Sequence, residues 1–194
     1  MYSLCLDSSA NCLSVGFCSS TEVICEVAYE AWQAQSEHMV PEIANLMEKY
    51  HIQKEQISDV IVSIGPGSYT GVRIALTIAK IVSLALNIPI YPVSSLRVLK
   101  KDNLASICLI NARSGRSYFG VYKGNEVLVK DTIYTNEEVK KYIQEHPDYI
   151  ICGDARYLGL DISKSEITKQ MMLLKNSLEK LEDNLGLKPI YMKD

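Results

Sequence analysis

SIGPGSYTGVRIALTIAK, residues 63–80, sets three glycines around a turn and runs without a break into an apolar segment. Upstream, DVIVSIG (59–65) is apolar almost throughout, the pattern of a strand buried on both faces of a sheet. Downstream, the run to Leu86 predicts a helix, with Asn87 as its stop. A strand, a glycine turn and a helix in this order make a unit of an α/β sheet. The turn either cradles a phosphate or only seats the helix.

Two phosphate motifs fail here. A Walker loop carries Lys and a hydroxyl residue directly after its last glycine, whereas Gly71 is followed by Val72 and Arg73. A dinucleotide fingerprint is spaced G-x-G-x-x-G. This turn reads G-x-G-x-x-x-G, with Pro66 between the first two glycines. A helix start still leaves backbone N–H groups unpaired, which makes a weak anion seat. Two readings stand. In one, Gly65, Gly67 and Ser68 contact a nucleotide or anion together with Asp7, Ser8 and Ser9 at the end of the first strand. In the other, the glycines allow a tight turn and close packing of helix on strand.

The helix is apolar around much of its circumference. Val72, Ala75, Ala79, Val82 and Leu86 line one face, Ile74, Ile78, Ile81 and Ala85 a neighbouring one, and Leu76 widens the arc. A helix lying on one sheet needs an apolar stripe of about 100°. This helix has more, so it is buried on two sides or offers a face to a partner. Ala75 and Ala79, four residues apart, would let another helix approach closely.

Working outward, SLCLD, LSVGFC and VICEVAYEA are three short β runs separated by turn residues, an antiparallel meander. A helix is expected from about Glu37 to Tyr50, with Met39, Val40, Ile43, Leu46, Met47 and Tyr50 on one face, Ser36 as N-cap and Pro41 near the first turn. IPIYPV reads as a further short strand. The opening pattern then returns: SLCLDSSANCLSVGF resembles SICLINARSGRSYFGVY, with Cys5 aligned to Cys108 and Gly16 to Gly120. EVLVKDTIY, a helix from about Asn136 to Glu145, a strand YIICG and a final helix from about Ser165 to Leu185 complete a second β-β-β-α-β-α series. The matching order indicates an internal duplication. Residues 1–94 and 95–194 are the expected lobes, each a mixed sheet with helices on it.

Composition bounds the function. The chain has 194 residues, 47% apolar and 22% charged, with net charge −3, which is ordinary for a soluble globular protein. Residues 1–98 carry nine acidic and five basic side chains, residues 99–194 fourteen and fifteen. Strong direct nucleic-acid binding through bulk charge is not expected. Six cysteines without a C-x-x-C read as small buried hydrophobes in a reducing cytosol. MYSLCLDSSA lacks a basic n-region, and no run approaches the roughly 18 uninterrupted apolar residues of a membrane span. A cytoplasmic location without membrane attachment is expected.

Catalytic sets are incomplete. His38, His51 and His146 are isolated, so no helical histidine pair can hold zinc or iron. Asp7 followed by Ser8 and Ser9 would suit Mg²⁺ and phosphate in a sugar-kinase-like site, but the second copy offers Ile110 and Asn111 where a matching Asp-x-Gly is wanted. Asp154 in CGDARY lacks the glycine too. No G-x-S-x-G elbow occurs. This points to a binding subunit without cofactor or metal.

GPGSYTGVRIALTIAK (65–80) resembles the glycine-rich segment of the TsaB (YeaZ) family, and SEHMVPEI, VSSL, NARSGRSYFGVY and the terminal KPIYMKD resemble further family segments in the same order. The resemblance spans nearly the whole chain. It implies a duplicated actin-like (ASKHA, ribonuclease-H-like) α/β fold. It also implies a non-catalytic partner that binds and activates TsaD, with the ATPase TsaE, in making threonylcarbamoyladenosine on tRNAs that read A-starting codons. The first-lobe helices would form a bundle with TsaD, and the same surface a homodimer. Carried over, the partner surface comprises Met39, Ile43, Met47, Val72, Ala75, Leu76, Ala79 and Val82. The chain departs from the family in having Asn111 where Asp is usual and Ser114 where a second Arg is usual, and its second lobe is trimmed. The alternative is a small actin-like ATPase or phosphotransferase built on Asp7. A metalloprotease lacks its histidines.

Overall fold

The computed structural model describes residues 1–31, 33–163, 165–181 and 184–192. The first three runs form the expected meander: β1 (Tyr2–Asp7), β2 (Cys12–Cys18) and β3 (Val23–Glu30), antiparallel throughout. α1 (Gln35–Lys49) follows, then β4 (Ile57–Ser63), α2 (Tyr69–Leu86) and β5 (Ile90–Val93). β4 runs parallel to β1 and to β5, giving a five-stranded sheet in the order β3-β2-β1-β4-β5.

The series then repeats as β6 (Ser106–Arg113), β7 (Arg116–Lys123), β8 (Glu126–Thr135), α3 (Asn136–Glu145), β9 (Ile150–Gly153) and α4 (Ile167–Leu174). Its sheet is β8-β7-β6-β9, with a single parallel bridge from Cys152 to Ser163 beyond. The repeat holds at the level of register. Cys5 lies opposite Gly16 across β1 and β2, and Cys108 lies opposite Gly120 across β6 and β7. The chain has the expected duplicated α/β architecture, two mixed sheets with helices packed on them.

Strand periodicity sorts the core into layers. β1 sends Leu4 and Leu6 under α1 and α2, and Cys5 to the other side. β6 sends Ile107 and Leu109 under α3, and Cys108 and Ile110 to the other side. Cys5, Cys108, Ile61, Tyr122 and Met171 thus share one core between the two sheets. α4 packs against β1, β2 and β3 of the first sheet. Thr168 donates to Glu26 Oε1 from its N–H at 3.1 Å and its hydroxyl at 3.0 Å, so a carboxylate of β3 caps the start of α4.

Helix ends are partly local. At α3, Thr135 Oγ1 accepts from Glu138 N at 3.2 Å while Glu138 Oε2 accepts from Thr135 N at 2.7 Å, a capping box. Asn87, left-handed at φ 53°, ends α2 as expected. α1 corrects two expectations. It starts at Gln35, so Ser36 lies inside the first turn, and Ala34 precedes it without a side-chain cap. Pro41 therefore sits beyond the first turn, where its missing N–H leaves the carbonyl of Glu37 without the usual bond.

The final helix is also shorter than expected. It ends at Leu174 and passes into a 3₁₀ turn, Lys175–Ser177. Ser177 Oγ donates to the Leu174 carbonyl at 2.7 Å, competing with continuation of the helix. Glu182 and Asp183 of the expected helix, and Lys193 and Asp194 of KPIYMKD, lie outside the described residues. Beyond the turn the chain returns to the first lobe: Leu181 N donates to Ile90 O, and Ile190 N to Ile64 O at 2.7 Å.

By length and composition alone, α2 is apolar enough to cross a membrane. Arg73, Thr77, Lys80 and Ser83 interrupt its apolar sequence. A helix that packs on a core meets the same test, and α2 packs on β4.

Candidate functional site

The glycine turn grips the end of β1. Ser68 caps α2, its hydroxyl accepting from Gly71 N at 3.2 Å, while Ser68 N donates to the Ser9 carbonyl at 2.6 Å. Ser8 Oγ donates to the Gly71 carbonyl at 2.7 Å. Both glycines are needed for closeness. A Cβ on Gly67 would lie 2.2 Å from Ser9 O, and one on Gly71 1.9 Å from Ser8 O. Gly65, at φ +107°, donates to Ser95 Oγ at 3.0 Å and lies against the Ile190 backbone.

Asp7 is turned into this packing. It is buried, and its Oδ1 accepts from Ser9 Oγ at 2.7 Å and Ser9 N at 3.4 Å. Burial pushes its carboxyl above the usual Asp range, with the Ser9 bonds working in the opposite direction. Among the described residues no group of three His, Cys, Asp or Glu side chains is placed to hold a metal.

A cleft of about 710 Å³ opens between the lobes. Its first wall holds Ser9, Gly67, Ser68, Tyr69 and Thr70. Its second holds Asn111, Arg113, Tyr118 and Asp154 from the ends of β6, β7 and β9. Of the six residues nominated for an anion, Ser9, Gly67 and Ser68 line it; Asp7, Ser8 and Gly65 do not. Burial raises the Asp154 carboxyl. Across the lobes, Arg156 Nη1 donates to Glu30 Oε1 at 2.6 Å, an exposed pair worth little to stability. On sequence alone Asn111 and Asp154 of this wall fail as counterparts of Asp7, and nothing nominates Arg113 or Tyr118. The internal repeat was the available signal, because it sets the end of β6 where β1 ends in the first lobe.

α1 and α2 pack side by side on the first sheet. The eight residues nominated for a partner surface divide by burial. Met39, Val72, Ala75, Leu76 and Ala79 are buried in the chain's own core. Ile43, Met47 and Val82 are partly buried against it. Ala75 and Ala79 belong to the core that α2 shares with the first sheet and with α1. The outward positions include Arg73, Thr77, Ile81, Leu84 and Ala85 on α2, and on α1 Val40 and Ala44 beside the polar Glu37, His38, Asn45 and Glu48. Tyr69, Ile81 and Leu84 are 58%, 61% and 69% exposed, large values for such side chains.

Comparison with known proteins follows this geometry. A family model described as TsaD: tRNA N6-adenosine threonylcarbamoyltransferase matches residues 27–172. A Bacillus subtilis (strain 168) protein named tRNA threonylcarbamoyladenosine biosynthesis protein TsaB is 33% identical over 135 residues, 67% of this chain and 58% of the relative. A protein of the same name from Buchnera aphidicola subsp. Acyrthosiphon pisum is 29% identical over 149 residues, 73% of this chain and 67% of the relative. The matched part thus spans about three fifths to two thirds of these relatives' lengths. The solved structure of YeaZ from Pseudomonas aeruginosa superposes with a TM-score of 0.82, covering 98% of this chain and 99% of that one. At 19% identity, that likeness speaks to the fold alone.

Proposed function

The chain belongs to the TsaB (YeaZ) family, and on that premise we propose that it serves tRNA threonylcarbamoyladenosine biosynthesis as a non-catalytic subunit that binds and activates a TsaD-type protein. Exposed apolar surface carries the reading. Tyr69, Ile81 and Leu84 stand outward on a helix whose inner face already fills the core. Concentrated exposed apolar surface of this kind marks protein interfaces. The partner helices lie in a lobe of residues 1–94, with 95–194 as the second lobe. In isolation the same surface pairs two copies of the chain, and TsaE joins as a third component. The site is cytoplasmic, in keeping with six free cysteines. The phosphotransferase alternative loses support, because Asp7 does not line the cleft.

Light scattering after size exclusion tests the proposal, with the chain alone and mixed with the TsaD-type protein of the same organism. A one-to-one complex that stimulates tRNA modification is expected. A chain that ignores the partner and leaves modification unchanged overturns the reading.

A further inference from the structure

We infer that Arg73 is a pre-set clamp for a carboxylate on the protein that docks against α2. The inference rests on the partner reading above. Arg73 heads the outward stripe Arg73, Thr77, Ile81 and Leu84, spaced four, four and three residues apart. Its side chain does not hang loose. Nε donates to Tyr191 Oη at 2.6 Å. Its Cζ lies 3.8 Å from the centroid of the Tyr69 ring and 5.6 Å from that of Tyr191. The two rings stack, with centroids 5.1 Å apart and planes at 25°.

Tyr191 is 118 residues further along the chain, and its segment is held down at several points. Ile190 N donates to Ile64 O at 2.7 Å, Lys80 Nζ to Leu185 O at 2.8 Å, and Asn184 Nδ2 to Ser83 Oγ at 2.6 Å. Gly65 gives the Ile190 carbonyl room, since a Cβ there would lie 2.5 Å from that oxygen. The segment runs antiparallel along α2, from Ser83 back to Arg73, and delivers a phenol to one guanidinium nitrogen. The second half of the chain thereby sets the pose of a first-lobe side chain.

That pose matters because of what it leaves open. A guanidinium has five N–H donors in a fixed fork. Tyr191 takes the one on Nε, and the Tyr69 ring takes a face. No acidic side chain pairs with Arg73 among the described residues. The Nη edge remains for a bidentate carboxylate. A side chain already immobilised loses less entropy when it binds. The surrounding lobe is acidic, with nine acidic against five basic side chains in residues 1–98. Arg73, with Lys80 seven residues on along the same helix, sets positive charge beside an apolar stripe, and its pinned guanidinium is suited to fixing the register of an acidic partner group.

The test is titration calorimetry of the full chain with its TsaD-type partner, at low and physiological salt, with thermal melts of every variant. Arg73→Ala is expected to weaken binding about 30-fold or more and to flatten its salt dependence. Arg73→Lys recovers only part, because an ammonium lacks the fork. Tyr191→Phe keeps the stack, loses the acceptor, melts like the wild type and weakens binding several-fold. Ile81→Asp reports on the partner reading itself. If Ile81→Asp weakens binding while Arg73→Ala stays within twofold of wild type, the clamp is overturned and the partner reading stands. Full rescue by Arg73→Lys overturns the fork. A wild-type chain that binds nothing overturns the partner reading and the clamp with it.

Discussion

The Gly71 Cα faces the Ser8 carbonyl so closely that an added Cβ would lie 1.9 Å from its oxygen. The two residues are also joined in the other direction, Ser8 Oγ donating to Gly71 O. β1 and the first turn of α2 are thus pinned backbone to backbone. The glycine exists for this contact, and α2 takes its position on the sheet from it.

Gly71→Ala is therefore expected to cost about 2–4 kcal/mol, because backbone must move to admit one methyl group. Urea unfolding of the variant measures it. A loss under about 0.5 kcal/mol, the range of a neutral surface change, would mean that the start of α2 shifts freely.

Ala79 and Ile81, two residues apart on α2, are expected to part company when each becomes Asp. Ala79 is fully buried, so Ala79→Asp places an unpaired carboxylate in the core and costs about 3–5 kcal/mol. Ile81 is 61% exposed, so Ile81→Asp keeps the melting temperature within a few degrees while abolishing association. Circular dichroism melts and light scattering separate the two outcomes. A well-folded Ala79→Asp would show that α2 packs the other way round.

The contrast marks what could be read from the sequence. The repeat was legible because Cys5, Gly16, Cys108 and Gly120 hold equivalent strand positions in both lobes. The stop at Asn87 was legible because a left-handed residue ends a helix locally. The orientation of α2 was not. With Ile74, Ile78 and Ile81 beside Val72, Ala75 and Ala79, the apolar arc is too wide for periodicity to say which side meets the sheet. The return of Leu181 and Ile190 to the first lobe was hidden for another reason. They depend on partners such as Ile90 and Ile64, about a hundred residues away in sequence.

Lys175 and Asp59 join the two halves of the chain. Lys175 Nζ donates to Asp59 Oδ2 at 2.7 Å and to Ser3 Oγ at 2.9 Å. Asp59 is buried, and its Oδ1 has no hydrogen-bond partner among the described residues. Lys175→Met strands that carboxylate and is expected to cost about 3 kcal/mol. Lys175→Met combined with Asp59→Leu should cost much less than the sum of the single changes, because no buried charge is left unpaired. A double-mutant cycle by denaturant unfolding reads this coupling. Additive losses would show that the pair contributes only packing.

Asp7 gives a prediction whose sign depends on pH. Burial holds its folded-state carboxyl above the value of an unfolded Asp, about 3.9. Below that value both states are protonated and the site carries no charge penalty. As pH rises through the folded-state value, the native chain must ionise a buried carboxyl that the unfolded chain ionises in water. The unfolded state then binds fewer protons, and wild-type stability falls with pH across this window. Asp7→Asn removes the ionisation and retains an oxygen that can accept from Ser9 Oγ. The stability of Asp7→Asn relative to wild type should therefore increase as pH rises above the unfolded value of about 3.9 and level off once the folded-state carboxyl has ionised. Urea unfolding across that range measures the difference. A difference that shrinks as pH rises would mean that the fold favours the carboxylate. It would also restore Asp7 as a charged group able to serve the cleft, where Mg²⁺-dependent turnover sensitive to Asp7→Asn would be the next measurement.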